Sequence, residues 1–148
     1  MIDKNKGKKD FTNFLREHGQ RLTNERSVVL NRILSCTGHF DPDSLYLQIR
    51  QTGLKVSRAS VYRTLNLLHK SGFISIVRKT EKGTIYECVY GIKHHDHMHC
   101  NECGKVIEFY SEELEKLQEK ICEKQGFKGQ SHTLEIRGYC AKCKKNMK

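Results

Sequence analysis

No apolar run in the 148-residue sequence approaches the length needed to cross a bilayer, so no membrane segment is expected. The basic opening stretch, MIDKNKGKKD, is not followed by the apolar core of a secretory signal, and the chain is expected in the cytoplasm. There is no internal repeat, and no low-complexity segment beyond those first lysines. No HExxH motif and no nucleophile constellation appears, which argues against a hydrolase. Proline occurs once, at Pro42. Cysteine, in contrast, is plentiful. Seven cysteines in a reducing compartment point to metal or redox chemistry more than to disulfides, and their odd total leaves at least one outside any paired set.

Charge is abundant and unevenly placed. The formal net charge is +10. Residues 1–90 hold 16 Lys/Arg against 8 Asp/Glu, whereas residues 91–148 hold 11 against 9. Lysine-rich surface is commonly just solvated surface; a basic half becomes a nucleic-acid reader only on a suitable fold.

The order of elements supplies such a fold. Phe11 to His18 reads as a short helix closed by Gly19. Thr23 caps a second, with Glu25 in its first turn and Val29, Leu30, Ile33 and Leu34 as its apolar face, ending near Cys36–Gly38. Asp41-Pro42 starts a third, which runs through Leu45 and Ile49 to Gly53. Ser57 caps a fourth, with Val61, Leu65 and Leu68 as its stripe and Gly72 as its stop. FISIVRKTEKGTIYECVY then reads as two strands around Thr80–Gly83. This is the order of a winged helix-turn-helix domain. Gly91-Ile92-Lys93 is the expected hinge. Beyond it come a strand pair over Met98–Tyr110 broken at Cys100–Gly104, and a helix capped by Ser111 whose Leu114, Leu117 and Ile121 face a core. A last strand has His132, Leu134 and Ile136 on one face. The fold class is therefore α+β: a winged-helix domain over 1–90 and a small α/β domain over 91–148. A core as small as the second needs a staple or a partner.

The stretch HHDHMHCNECGKVIEF supplies candidates for the staple. Its first ten residues hold four histidines, one aspartate and two cysteines, side chains that share the ability to bind metal. Cys100-Asn-Glu-Cys103 and Cys140-Ala-Lys-Cys143 are both CxxC, with 36 residues between them. Four thiolates saturate tetrahedral Zn²⁺, so such a site is structural. A redox pair wants to open a helix after a strand, and neither pair clearly does. Cys36 and Cys122 read as small core residues, and Cys88 stays open. His95 and His97 alternate on one face, His94 and Asp96 on the other, which suggests two further metals. His39, Glu115 and His132 carry no such signal: taken alone they read as a loop histidine, an exposed helix glutamate and a strand histidine. On the helix over Ser57–Ser71, Ala59, Arg63, Asn66 and Lys70 lie opposite the apolar stripe, with Tyr62 at their flank.

Taken together, SRASVYRTLNLLHKSG, HHDHMHCNECGKVIEF and CAKC resemble the ferric uptake regulator family of bacterial metal-sensing repressors, over roughly residues 11–145. The resemblance implies an N-terminal winged helix that binds DNA and a C-terminal domain that dimerises. It implies structural zinc on Cys100, Cys103, Cys140 and Cys143. It places a regulatory metal on His39, Glu87, His95, His97 and Glu108, and an additional metal on His94, Asp96, Glu115 and His132. His99 receives no role. The distance in sequence from Glu87 to His95 varies in the family and leaves Glu87 and Cys88 as alternative ligands. For DNA, the resemblance implies base contacts from Tyr62 and Arg63 and a minor-groove contact from Arg21, beside Ala59 and Asn66 on the exposed helix face.

The implied function is a metal-dependent repressor, not an enzyme. It would bind an AT-rich inverted repeat of double-stranded DNA as a homodimer or tetramer, and control metal-uptake genes. Mixed nitrogen and oxygen ligands suit Fe²⁺, Mn²⁺, Zn²⁺, Co²⁺ or Ni²⁺. Carboxylates at Glu87 and Glu108 put iron first. Zinc sensing, for which family members tend to use a cysteine in this region, comes second. Peroxide sensing, associated with aspartates at these positions, comes third. A metal-dependent hydrolase is the reading from another class; it needs an open coordination position, and the candidate ligands are enough to fill the sites.

Overall fold

Asp3 turns the chain into its first helix by accepting hydrogen bonds from the backbone N–H groups of Asn5 and Lys6. The computed structural model describes residues 2–147. Helix α1, Lys4–Glu17, takes in the lysine-rich stretch that the sequence reading placed outside a helix beginning at Phe11. Lysine is a good helix former, and the face made by Gly7, Phe11 and Leu15 is buried, so packing fixes a segment that charge alone would leave in solvent. Gly7 permits that packing: a Cβ there would lie 2.9 Å from Leu34 Cδ1 and 3.1 Å from Tyr90 Cε1. The Tyr90 hydroxyl donates to Asp10 Oδ2 at 2.6 Å, while its ring stacks on Phe73 at 4.2 Å, tying α1 to the far end of the same unit. That hydrogen bond pushes the Tyr90 phenol up to about 12.

The chain divides after Lys93 into two compact units. In the first, α2 (Asn24–Leu34) is followed by the short strand β1 (His39–Phe40), α3 (Pro42–Gln51), α4 (Arg58–Lys70), β2 (Ile74–Thr80) and β3 (Gly83–Cys88). Caps fall where the sequence places them. Thr23 accepts from Arg26 N–H, Asp41 from Ser44 and Ser57 from Ser60, each satisfying a helix-end donor that has no partner within the helix. Glu25 accepts from the Ser57 N–H at 3.2 Å and so links the starts of α2 and α4. The strands form one sheet in the order β1-β3-β2, antiparallel throughout. The register shifts once, between Ile76 and Arg78. Val29, Leu30, Ile33, Leu45, Ile49, Val61, Leu65 and Leu68 form the centre of one core with Phe11 and Leu15. Three helices closed by a hairpin make the winged-helix arrangement.

The second unit contains β4 (Asp96–Cys100), β5 (Val106–Phe109), α5 (Glu112–Lys124), β6 (Glu135–Gly138) and the short α6 (Ala141–Lys144). Its sheet runs β5-β4-β6, with β5 antiparallel and β6 parallel to β4. Two expectations are corrected here. The last strand begins at Glu135, so His132 lies in the irregular segment before it. Helix α5 is amphipathic but has no buried residue, and Leu117 and Ile121 are each 53% exposed. Its apolar stripe reads correctly, but the surface that would cover it is not part of this unit.

The first unit's core makes a direct prediction. Leu65 is 1% exposed, so Leu65→Ala should cost about 2–5 kcal/mol through lost burial and a residual cavity. It should appear as a lower urea midpoint with an unchanged slope. Leu47, 58% exposed, should give a change within about 0.5 kcal/mol when replaced by alanine.

Candidate metal centres and nucleic-acid face

The two CxxC pairs sit at opposite ends of the second unit's sequence and are joined by its sheet. Cys100 ends β4, and Cys103 lies in the turn that follows. Gly104 turns with φ 71°, its N–H donating to the Cys100 carbonyl at 3.0 Å. Parallel pairing sets Cys100 opposite Gly138, two residues before Cys140; contrary to the sequence expectation, the second pair does open a helix after a strand, since Cys140 caps α6 just after β6, and it is the convergence of four sulfurs that favours metal. The four sulfurs all lie within 4.8 Å of one another, and Cys103 Sγ is 3.8 Å from Cys140 Sγ. A disulfide would need about 2.05 Å. Sulfurs about 2.3 Å from a tetrahedral zinc stand about 3.8 Å apart, so the donor set fits Zn²⁺ in type, number and spacing. The backbone around Cys100 also favours thiolate. N–H groups of Cys103 and Cys140 directed at its sulfur bring the Cys100 thiol down to about 6. Cys143, competing with the neighbouring Cys140 sulfur for a shared proton, is pushed up to about 12. A dication among the four sulfurs would relieve that competition.

A second cluster lies at the other end of β4. His94 Nε2 is 3.2 Å from Asp96 Oδ1 and 3.4 Å from Glu115 Oε1. His132 Nε2 is 3.7 Å and 3.4 Å from the same two oxygens. The two imidazoles meet edge to face at 4.3 Å. Asp96 comes from β4, Glu115 from the first turns of α5, and the histidines from the segments preceding β4 and β6. Asp96 is 2% exposed, and its Oδ1, with Glu115 Oε1 and His132 Nε2, is buried without a hydrogen bond. Two carboxylate oxygens and two imidazole nitrogens converge here, and the three that are buried carry a desolvation cost unless a cation sits among them. The chemistry suits a divalent ion with nitrogen and oxygen ligands.

The remaining candidate ligands form a small group in each unit. In the first, the β1–β3 register places His39 opposite Glu87, with His39 Nε2 3.6 Å from Glu87 Oε2. Ser75 donates its hydroxyl to Glu87 Oε1 at 3.1 Å, which orients the carboxylate. Cys88, next on the strand, points the other way into the hydrophobic core, and burial raises its thiol. In the second, the rings of His95 and His97 stand 5.0 Å apart and His95 Nε2 is 3.9 Å from Glu108 Oε1. The β4–β5 register places His97 opposite Glu108. His99 is buried with Nε2 3.7 Å from Glu135 Oε1, a carboxylate that also takes Arg137 at 2.7 Å. Its ring lies 6.1 Å from that of His97.

On α4, Val61, Thr64, Leu65 and Leu68 face the core, leaving Ala59, Tyr62, Arg63, Asn66 and Lys70 exposed. Arg21 is exposed in the loop before α2. Arg26 holds this loop by donating to the Arg21 carbonyl at 2.6 Å and to Gln20 Oε1 at 2.5 Å. The sequence reading missed Asp43, at the start of α3. Its Oδ1 accepts from the Tyr62 hydroxyl at 2.9 Å and from Arg58 Nη2 at 2.7 Å. Only the packing of α3 against α4 brings these residues together, so local sequence holds no signal of it.

Known proteins resemble this one across most of the chain. The profile described as the ferric uptake regulator family matches residues 17–137. The ferric uptake regulation protein of Campylobacter jejuni is 38% identical over 135 residues, covering 90% of this chain and 85% of that protein. The solved Helicobacter pylori ferric uptake regulator, described as having three functional metal-binding sites, superposes with a TM-score of 0.73 at 30% identity, over 96% of this chain and 94% of that one. A ferric uptake regulator from Francisella tularensis solved with iron gives a TM-score of 0.64 at 31% identity, over 85% and 96%. With this coverage, and with a winged helix joined to a unit rich in metal ligands, the chain belongs to the ferric uptake regulator family, whose members are metal-dependent transcriptional regulators and not enzymes.

Proposed function

We propose that this protein is an iron-responsive repressor that binds an AT-rich inverted repeat as a dimer and controls metal-uptake genes. The observation that carries the reading is the pair of half-built ligand sets. His39 and Glu87 stand together on the first unit, and His95, His97 and Glu108 on the second. Neither set alone completes the coordination shell of a divalent ion. A regulatory metal bound by both would tie residues 1–90, the DNA-binding domain, to residues 91–148, the dimerisation domain. A bound divalent cation supplies the charge that lets these imidazoles and carboxylates share one centre.

Without the metal, DNA binding must itself fix the hinge at Gly91–Lys93, and apparent affinity falls by the fraction of molecules in the competent arrangement. Three imidazoles and two carboxylates suit iron, with Mn²⁺, Co²⁺ or Zn²⁺ as substitutes. The core position of Cys88 supports Glu87 as the ligand and weighs against a thiolate zinc sensor. A Francisella tularensis relative solved with iron supports the same choice.

Dimerisation through the second unit is supported by its exposed apolar side chains. Register places Met98 beside Ile107 on one side and Ile136 on the other, each at least 38% exposed. Tyr110, Leu117, Ile121 and Phe127 are exposed as well. Surfaces of this kind mark protein interfaces. Two recognition helices held by a two-fold axis fit two half-sites of a palindrome.

Three measurements test the parts separately. Cys100→Ser or Cys140→Ser should lose structural zinc and unfold the second unit, because the binding energy of such a zinc, about 10 kcal/mol or more in zinc-finger peptides, is folding energy. A mutant that keeps a native melting curve and a dimeric mass would refute the structural role. Arg63→Ala should weaken operator binding by about 1–3 kcal/mol while changing binding to random DNA less. Equal losses on both would exclude base readout by Arg63. His95→Ala or His97→Ala should keep the four-cysteine zinc, the fold and the dimer. Wild-type protein should gain roughly 5–150-fold in operator affinity on anaerobic titration with Fe²⁺ or Mn²⁺, and the mutants close to none. A full gain in the mutants would move sensing to His94, Asp96, Glu115 and His132.

A further inference from the structure

We propose that Asp43 is a specificity-determining residue of the DNA interface, acting by holding Tyr62 in place and keeping Arg58 from acting as a free phosphate-binding charge. The inference rests on the reading of α4 as the recognition helix. One carboxylate oxygen, Asp43 Oδ1, takes both the Tyr62 hydroxyl at 2.9 Å and Arg58 Nη2 at 2.7 Å. The guanidinium carbon of Arg58 also lies 5.9 Å from the centre of the Tyr62 ring. The three side chains therefore form a closed set: carboxylate to phenol, carboxylate to guanidinium, and guanidinium over ring.

The set is exposed, with Asp43 at 50% and Arg58 at 62% of their side-chain surface. An exposed pair of this kind adds little to stability. Its consequence lies at the surface it shapes. Tyr62 is 42% exposed on the face that carries Arg63 and Asn66, and a phenol tied at its hydroxyl presents its ring in a restricted orientation. An aromatic ring reads a thymine methyl only when it is correctly placed. Arg58, free, would be a sequence-independent anchor for any phosphate; paired with Asp43, it is offset by a carboxylate that phosphates repel. The same carboxylate thus favours the selective contact and suppresses the unselective one. It belongs to α3, outside the recognition helix.

The test uses the full-length protein with Mn²⁺ and two duplexes, an inverted repeat enriched by the wild type from a randomised pool and a shuffled duplex of equal composition. Asp43→Ala should bind the shuffled duplex about fivefold more tightly at about 0.15 M salt, with a salt slope steeper by about 0.9, the value of one added phosphate contact. Its preference for the selected duplex should fall about five- to tenfold. Tyr62→Phe should lose preference without a change of slope. Arg58→Gln should leave the slope on shuffled DNA unchanged. Asp43→Glu should restore the wild-type slope, which a purely structural role would not affect. Should Asp43→Ala lower the melting temperature, Asp43→Asn, of equal volume, replaces it and should show the same steeper slope. Wild-type preference and slope in Asp43→Ala and Asp43→Asn, or a slope reduced by about 0.9 in Arg58→Gln, would overturn the proposal. Arg63→Ala on the same duplexes separates the two readings: loss of preference there beside a silent Asp43→Ala sinks only the role of Asp43, whereas a silent Arg63→Ala sinks the recognition-helix reading on which it rests.

Discussion

Among its described residues, the second unit fully buries no aliphatic or aromatic side chain, and this shortage of core governs much of the rest. Its well-buried groups are polar or metal-ligating: Asp96, His97, His99 and Cys100. The first unit buries a full set of leucines, isoleucines, valines and phenylalanines. A segment of this size with a polar interior cannot be stable through the hydrophobic effect alone. It must draw stability from cations among its ligands, from a second copy over its apolar face, or from both. Its fold and its response to metal therefore share one cause. The groups that would hold metal occupy positions that another small domain would fill with aliphatic side chains.

The first unit follows the opposite logic. Its helices have their own caps, its core is continuous, and even its glycine at position 7 serves close packing. The exposed residues on α4 are placed by helix caps and a continuous hydrophobic core. In the proposed switch, metal would act on how such readers are arranged rather than on whether they fold. This suits a switch whose energetic scale is a few kcal/mol, well below the free energy of forming a core.

The parts most legible in sequence were those fixed by local chemistry. Thr23, Asp41 and Ser57 announce helix starts because their side chains satisfy nearby N–H groups. The two CxxC pairs announce convergence because each supplies two sulfurs from one turn. What escaped reading depended on distant partners. Strand β1 is two residues long and exists through its pairing with β3; without that pairing His39 is an ordinary loop histidine. The lysine-rich start of α1 resembles a tail until Gly7, Phe11 and Leu15 find the core. His132 has no strand to mark it, and reaches Asp96 and Glu115 through the tertiary path of the loop after α5. Asp43 has no local connection with Tyr62 at all, nineteen positions away.

The parallel pairing of β4 with β6 has a consequence in time. Cys100 and Cys140 can meet only after the segment through β6 has been made, since the strand that brings them together follows α5 and the second sulfur pair follows that strand. Residues 2–93, with a core of their own, are complete much earlier. Long-range parallel pairing is slow to form because distant ends must be brought together first. During synthesis, the first unit's core thus precedes the full set of candidate ligands in the second. In that interval the thiols of Cys100 and Cys103 would lack the other half of their donor set and be open to oxidation or to a wrong metal.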